Sequence, residues 1–244
     1  KYMIPQELEK KTNAEVSTPR KLRQEMLDLI PDEFWTQPRT VFEPCSGKGG
    51  FLVDIYDRFM TGLQHLYQDV ETRKQVILEQ CLYFADINPT NTFIADVLLN
   101  PENQFTLNSY TGDTLQLDVQ QQWGLAGFDA VIGNPPYNAS NKKTTGNTLW
   151  NKFVEKSINN WLTEDGYLLY VHPPGWRKPN TQKTHYNNLL KLMTQQTTML
   201  YLNINNTKEG LKVFKCGTRF DWYLIKKTKN KEVKTTIIDE KNNK

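Results

Sequence analysis

This 244-residue sequence predicts an α/β fold with a doubly wound, mostly parallel sheet and an antiparallel hairpin near its C-terminal end. Three observations carry that expectation. Short apolar runs alternate with stretches of helical period, and the connections between them are short. Four successive apolar runs also close on a polar group, namely Glu43, Asp86, Asp113 and Asn134. Strands are expected near 40–44, 81–87, 105–111, 128–133, 166–172, 199–205 and 219–226, with a last one near 233–238. Helices are expected near 21–30, 50–63, 70–80, 89–99, 148–162 and 182–196.

The first strand, Val41-Phe42, ends at Glu43-Pro44-Cys45 and enters a glycine turn, Ser46-Gly47-Lys48-Gly49-Gly50. A helix with apolar residues Phe51, Leu52, Ile55, Tyr56, Phe59 and Met60 follows. Glycines at such a turn let the backbone approach a ligand, and the helix start offers free N–H groups. The spacing is neither a Walker loop nor the dinucleotide pattern Gly-x-Gly-x-x-Gly. Glu43 would repel a phosphate and attract a cation, so the turn suits a nucleoside carrying a positive group.

The second strand, Cys81 to Ala85, ends at Asp86-Ile87-Asn88-Pro89. An acid in this place accepts from ribose hydroxyls in doubly wound folds. The competing role for Asp86 is an N-cap for the helix starting near Pro89. The third strand ends at Thr111-Gly112-Asp113-Thr114. The fourth, Phe128 to Gly133, delivers Asn134-Pro135-Pro136-Tyr137. Two prolines stiffen that corner and leave carbonyls free to accept. Asn134 adds another acceptor, and Tyr137 an aromatic face with a polar tip. Acceptors beside a ring suit a planar group bearing an NH₂; the alternative is an ordinary Asn-Pro turn. Further on, Trp150, Phe153, Val154, Ile158 and Trp161 form a buried helical stripe.

Taken in order, Glu-Pro-x-x-Gly-x-Gly-x-Phe, Asp-Ile-Asn-Pro, Gly-Asp-Thr-Leu and Asn-Pro-Pro-Tyr resemble the motifs of S-adenosylmethionine-dependent DNA adenine-N6 methyltransferases. The motif order is similar to the gamma class of restriction-modification systems. Thr18-Pro19 resembles the segment that closes over the methionine end of the cofactor. Glu164 to Pro174 resembles a later strand, and Val213-Phe214 to Ile225 a final hairpin, so the likeness spans roughly 15–226. It implies a Rossmann-like methyltransferase sheet with S-adenosylmethionine as cofactor. The implied cofactor residues are Thr18, Pro19, Glu43, Pro44, Cys45, Gly47, Gly49, Asp86, Ile87, Asp113 and Thr114. Asn134, Pro135, Pro136 and Tyr137 are the implied catalytic corner. Tyr137 and Phe214 are the implied walls around a flipped base in double-stranded DNA, Phe214 being equally readable as a strand core residue.

The chemistry explains the residue types. Adenine's exocyclic amine is a poor nucleophile because its lone pair is delocalised into the ring. The Asn134 side chain and the Pro135 carbonyl could hold both N–H bonds and favour a tetrahedral nitrogen. Positioning and placed dipoles then lower the barrier without a covalent intermediate.

Composition adds bounds. Thirty Lys and Arg against 27 Asp and Glu give a net charge of +3, too weak to announce nucleic-acid binding. Local clusters could meet phosphates: Lys142-Lys143, Arg177-Lys178, Lys183, His185, Lys191 and the tail from Lys226 to Lys234. Three cysteines without zinc spacing indicate a reducing, intracellular (cytoplasmic) setting and no metal. No signal peptide or membrane span is visible. Lys1 in place of Met is consistent with a trimmed fragment.

The expected organisation is an N-terminal helical segment with the Thr-Pro motif over 1–40, a catalytic domain over 41–226 and a basic tail over 227–244. The tail is too short for a target-recognition domain. Recognition is therefore expected from a missing region, a partner subunit or loops of this domain. Competing functions are methylation of an RNA base or a protein glutamine, and an inactive cofactor-binding subunit.

Overall fold

The computed structural model describes residues 16–138, 148–177, 188–228 and 233–239. Eight strands form one sheet in the order β3-β2-β1-β4-β5-β7-β6-β8. They are β1 (Val41–Glu43), β2 (Leu82–Asp86), β3 (Asn108–Thr111), β4 (Phe128–Gly133), β5 (Leu162–His172), β6 (Thr198–Asn205), β7 (Phe220–Lys226) and β8 (Thr236–Ile238). The first five run parallel, β7 lies antiparallel to both β5 and β6, and β8 joins β6 in parallel. The doubly wound sheet with an antiparallel C-terminal part is the architecture the sequence predicted.

Side chains alternate across a strand, so a sheet covered on both faces builds two cores from one run of residues. Leu82 and Phe84 of β2 enter one core while Tyr83 and Ala85 enter the other. In β4, Ala130 and Ile132 oppose Val131, and a register shift between Phe128 and Ala130 puts Phe128 on the Val131 side. Trp222 and Leu224 of β7 oppose Tyr223 and Ile225. The first core is covered by α1 (Arg20–Leu27), α2 (Asp32–Trp35) and α3 (Gly50–Gly62) through Met26, Leu27, Trp35, Ile55 and Phe59. The helices before β1 thus share the core of the sheet.

Two further helices, α4 (Val70–Val76) and α5 (Pro89–Leu99), flank β2, and α6 (Val119–Trp123) precedes β4. The second core is covered by α7 (Trp150–Lys156), whose stripe Trp150, Phe153 and Val154 continues through a π turn, Ser157–Trp161, to Ile158 and Trp161. Similar π turns end α4 (Ile77–Cys81) and α8 (Leu189–Lys191; turn Leu192–Gln196). In the first two cases the widened turn hands the chain straight to a strand, so helix and strand follow without a loop.

One element departs from the expected pattern. Residues Thr207–Phe214 form a helix, α9, which takes in Val213 and Phe214, where the hairpin resemblance was read to begin. Asn206 caps it by accepting from the Lys208 and Glu209 amides at 2.8 and 3.0 Å. Lys215, in the left-handed region at φ 58°, ends it. The Asn-x-x-Glu cap is present in the sequence, but the helix it opens is only eight residues long and carries few apolar side chains. The expected helix over 182–196 is seen only from Leu189, because 182–187 lie outside the described residues.

α3 approaches α2 closely enough that a Cβ on Gly62 would lie 2.3 Å from the Trp35 carbonyl oxygen. Gly62→Ala should therefore cost about 1–3 kcal/mol through overpacking, read as a lower midpoint in chemical denaturation. An unchanged midpoint would show that the α2–α3 contact yields.

Candidate active site

In the strand order β3-β2-β1-β4-β5 the chain reverses direction across the sheet between β1 and β4, and open α/β sheets hold ligands at that crevice beyond the carboxyl ends. A cavity of about 930 Å³ lies there, within the range of small-molecule sites. All the predicted site residues line it except Gly49 and Phe214.

The glycine turn after β1 is held by the end of β2. Asp86 Oδ2 accepts from the Gly47 amide at 2.9 Å, and its Oδ1 accepts from the Asn88 amide at 2.8 Å and the Asn91 side chain at 3.2 Å. The Ser46 amide donates to the Ala85 carbonyl at 3.0 Å. Gly47 (φ 51°) and Gly49 (φ 82°) occupy the left-handed region, which a side chain would strain. Gly49 faces away from the cavity, where a Cβ would stand 3.2 Å from Ala95 Cβ. Asp86 is not the cap of α5, because Asn88 takes that place by accepting from the Thr90 amide at 3.0 Å. Ile87 projects its side chain at 67 % exposure beside the cavity, an apolar plane beside an acid.

Asp113 follows β3 and heads a one-turn 3₁₀ segment, Thr114–Gln116, accepting from the Leu115 amide at 3.1 Å. It is exposed, whereas Thr114 beneath it is buried. Glu43, at the end of β1, is 2 % exposed, and its Oε2 has no hydrogen-bond partner among the described residues. Burial pushes its carboxyl well above the usual carboxylate range; Arg23 opposes this, while Asp86 and Asp54 reinforce it. Burial also raises Asp86, against its three hydrogen bonds. The Cys45 thiol is raised by burial and then by Asp86, Glu43 and Asp113, which leaves it protonated and a poor nucleophile.

The corner after β4 carries the most informative geometry. The Asn134 amide donates from Nδ2 to the Val16 carbonyl at 3.1 Å. That bond fixes the side-chain orientation, so Oδ1 is the free end, and this buried oxygen has no partner among the described residues. Val16 belongs to the Thr18-Pro19 segment, whose position is set in turn by Arg23. Arg23 Nη1 donates to the Thr18 carbonyl at 2.6 Å, and Nε pairs with buried Asp54 at 2.5 Å. The Tyr137 carbonyl accepts from the Leu149 amide at 3.2 Å, while its hydroxyl is buried without a described partner. Burial raises that phenol above its ordinary range.

Phe214 is not at the cavity. It ends α9 and packs edge-on against Phe220 with ring centroids 4.9 Å apart. The core alternative for Phe214 is the one realised, on a helix. Among the lining residues that the sequence did not single out for the site are Val16, Arg23, Leu115, Leu149, Lys152 and Phe153. Leu149 caps α7, and Lys152 and Phe153 follow it at helical spacing, so one member of the stripe read as core, Phe153, also lines the cavity. His172 is not a candidate base. It stacks on Trp150 at 4.3 Å and meets the Tyr223 hydroxyl through Nε2 at 2.8 Å, and burial lowers its pKa to about 4.

Among the cations expected at a DNA rim, Arg177 turns inward to buried Asp221 at 2.7 Å, and Lys226 pairs with Asp165 at 3.2 Å. Lys191 is exposed, and Lys142, Lys143, Lys178, Lys183 and His185 lie outside the described residues. Among the described residues no group of three or more His, Cys, Asp or Glu could hold a metal, and no helix is long and apolar enough to cross a membrane.

Residues 4–171 match the family described as N-6 DNA methylase. The chain belongs to the N-6 DNA methylase family. Solved structures share its fold at low identity. A modification subunit of a putative type I restriction enzyme from Vibrio vulnificus YJ016 is 13 % identical with a TM-score of 0.63, over 94 % of this chain and 49 % of that one. A putative class I S-adenosylmethionine-dependent methyltransferase from Listeria monocytogenes is 12 % identical with a TM-score of 0.59, over 90 % of this chain and 64 % of that one. The type ISP restriction-modification enzyme LlaBIII, solved bound to DNA, is 13 % identical with a TM-score of 0.64, over 91 % of this chain and 19 % of that one. The chain therefore spans less than two thirds of each of these relatives. No curated protein matches the sequence significantly. The resemblance read from the motifs holds at the level of the family.

Glu43 gives this site a testable signature. Its folded pKa lies above the unfolded one, so the folded state binds the extra proton and stability falls as pH rises past the ordinary carboxylate range. Glu43→Gln should stabilise the free protein above that range, the gain shrinking on acidification. Thermal unfolding from pH 5 to 8 measures it, and a constant difference across that range would contradict the assignment.

Proposed function

We propose that this domain transfers a methyl group from S-adenosylmethionine to the exocyclic amine of a flipped adenine in DNA. The observation that carries this reading is the Asn134 amide oxygen, buried, unpartnered and aimed by the Val16 carbonyl. A buried acceptor without a donor is costly, and an incoming N–H bond relieves that cost.

The cavity fits a cationic nucleoside. Glu43, Asp86 and Asp113 line it with carboxyl acceptors, and Ile87 offers an apolar face for a planar ring. Glu43 would meet the ammonium end, Thr18 and Pro19 would close over it, and Asp86 and Asp113 would hold the nucleoside. The bound cofactor supplies a sulfonium methyl group as the electrophile. Asn134 Oδ1 and the Pro135 carbonyl accept the two amine hydrogens, turning the nitrogen lone pair out of conjugation. Tyr137 stacks on the base, and Pro135 and Pro136 keep the acceptors from relaxing. No strong base is required beforehand, because the nitrogen becomes acidic once methylated and its proton leaves to water.

The target base must leave the duplex to reach this depth. Selection of a DNA sequence would fall to protein surface outside the described cavity, in the same chain or in a partner subunit.

Incubation with tritiated cofactor and, in separate reactions, duplex DNA, RNA and protein extract tests the reading. Label recovered as N6-methyldeoxyadenosine is the expected result; label in RNA or protein alone would overturn the DNA assignment. Asn134→Ala should lower turnover by about 10²–10³-fold, as loss of a placed dipole does. Cofactor affinity, followed by calorimetry, should stay within a few-fold, and its collapse would move Asn134 to the cofactor side of the cavity.

A further inference from the structure

The 3₁₀ segment that carries Thr114 and Leu115 is one wall of the cavity, yet a single short turn is a weak support. Inside the turn, Asp113 supplies the bonds. Its side chain accepts from the Leu115 amide at 3.1 Å, and its carbonyl from the Gln116 amide at 2.9 Å. The outward carbonyls of Leu115 and Leu117 are taken by one side chain. Lys156 Nζ donates to them at 2.5 and 3.1 Å and stands 5.6 Å from the Trp161 ring centroid. Lys156 ends α7, the helix whose Leu149, Lys152 and Phe153 form the facing wall. Positions 149, 152, 153 and 156 are spaced at three, four and seven residues, so they share one face of the helix. One helix therefore lines the cavity and, a turn later, grips the segment opposite.

Resting on the methyl-transfer reading above, we infer that Lys156 is a positioning residue for the nucleoside end of the cofactor, setting the separation between Leu115 and Phe153. The nucleoside end lies here because Asp86, Ile87 and Asp113 converge on this side, whereas Asn134 and Glu43 lie toward β4 and β1. Nothing in this arrangement touches the reacting nitrogen. Lys156 therefore acts on how tightly the cofactor is held and leaves the chemical step alone. Its ammonium is the right agent, since a charged donor makes the stronger hydrogen bonds and the Trp161 face steadies the cation. Burial lowers the Lys156 pKa, with Asp113 and Asp118 opposing.

Lys156→Met keeps the stem and removes the donors. It should raise the dissociation constant of S-adenosylmethionine and of its demethylated product by about tenfold in calorimetry, the scale of one lost charge-assisted bond. KM for the cofactor should rise in step, with kcat on duplex DNA within about twofold, and Lys156→Arg should recover most of the affinity. Val154→Ala weakens the same helix from its core side without touching the clamp; at matched loss of thermal stability it should leave the affinity unchanged. Equal affinity in Lys156→Met and wild type, a fall confined to kcat, or the same loss in Val154→Ala would overturn the role. Wild-type protein that binds no cofactor would overturn the functional reading beneath it.

Discussion

A sheet buried on both faces is the constraint from which this site follows. Along β1, β2 and β4 the residues facing either core are apolar, and the one charged residue inside β4, Asp129, is partnered by Arg39 and Thr40, as a charge there must be. Glu43, Asp86 and Asn134 are accordingly confined to the carboxyl ends, where the crevice opens. Parallel pairing aligns those ends. Glu43 is in register with Phe84, two residues before Asp86, and Val131 pairs with Phe42, three residues before Asn134. Convergence of the three polar groups is thus a result of register and sheet burial rather than of any direct bond between them.

Convergence has an energetic cost that the free protein bears. Two carboxyls, Glu43 and Asp86, are held where burial favours their neutral forms, and the nearby Asp86 carboxylate pushes Glu43 up further. Asp86 offsets this by organising the glycine turn through three hydrogen bonds. Glu43 has an oxygen without such support. The difference separates a group that builds the site from one that waits for a ligand. Strain of this kind gathers where function requires an unpaired charge.

Much of this was legible because β strands buried on both faces write continuous apolar runs, and their polar endpoints stand out. Thr18, Glu43, Asp86 and Asn134 were all readable on those grounds or through the family likeness, and all face the cavity. Phe214 was misplaced because the Asn206 cap opens an amphipathic helix of only eight residues directly after β6, too short for its period to stand out from a strand and turn. Phe153 was read correctly as buried, but periodicity cannot distinguish a stripe facing core from one that also faces a ligand. Arg23 and Lys156 left no sequence signal. Their roles depend on long side chains reaching carbonyls 5 and about 40 residues away, and such contacts exist only after the chain has folded.

The bond from Asn134 to Val16 links the two halves of the site. An amide has two ends of nearly equal size and opposite polarity, and either could face a substrate. The Val16 carbonyl can only accept, so it draws the NH₂ end and leaves the oxygen forward. Val16 is fixed through Thr18, Thr18 through Arg23, and Arg23 through Asp54 on α3, the helix that the glycine turn begins. The segment proposed to close over the cofactor is therefore the same one that decides which atom greets the acceptor. If that segment moved away, the amide would be free to rotate, and a donor would face an amine that has only hydrogens to offer. Selectivity for an amino group thus depends on the N-terminal segment being in place, which ties recognition of the base to closure over the cofactor within a single chain of hydrogen bonds.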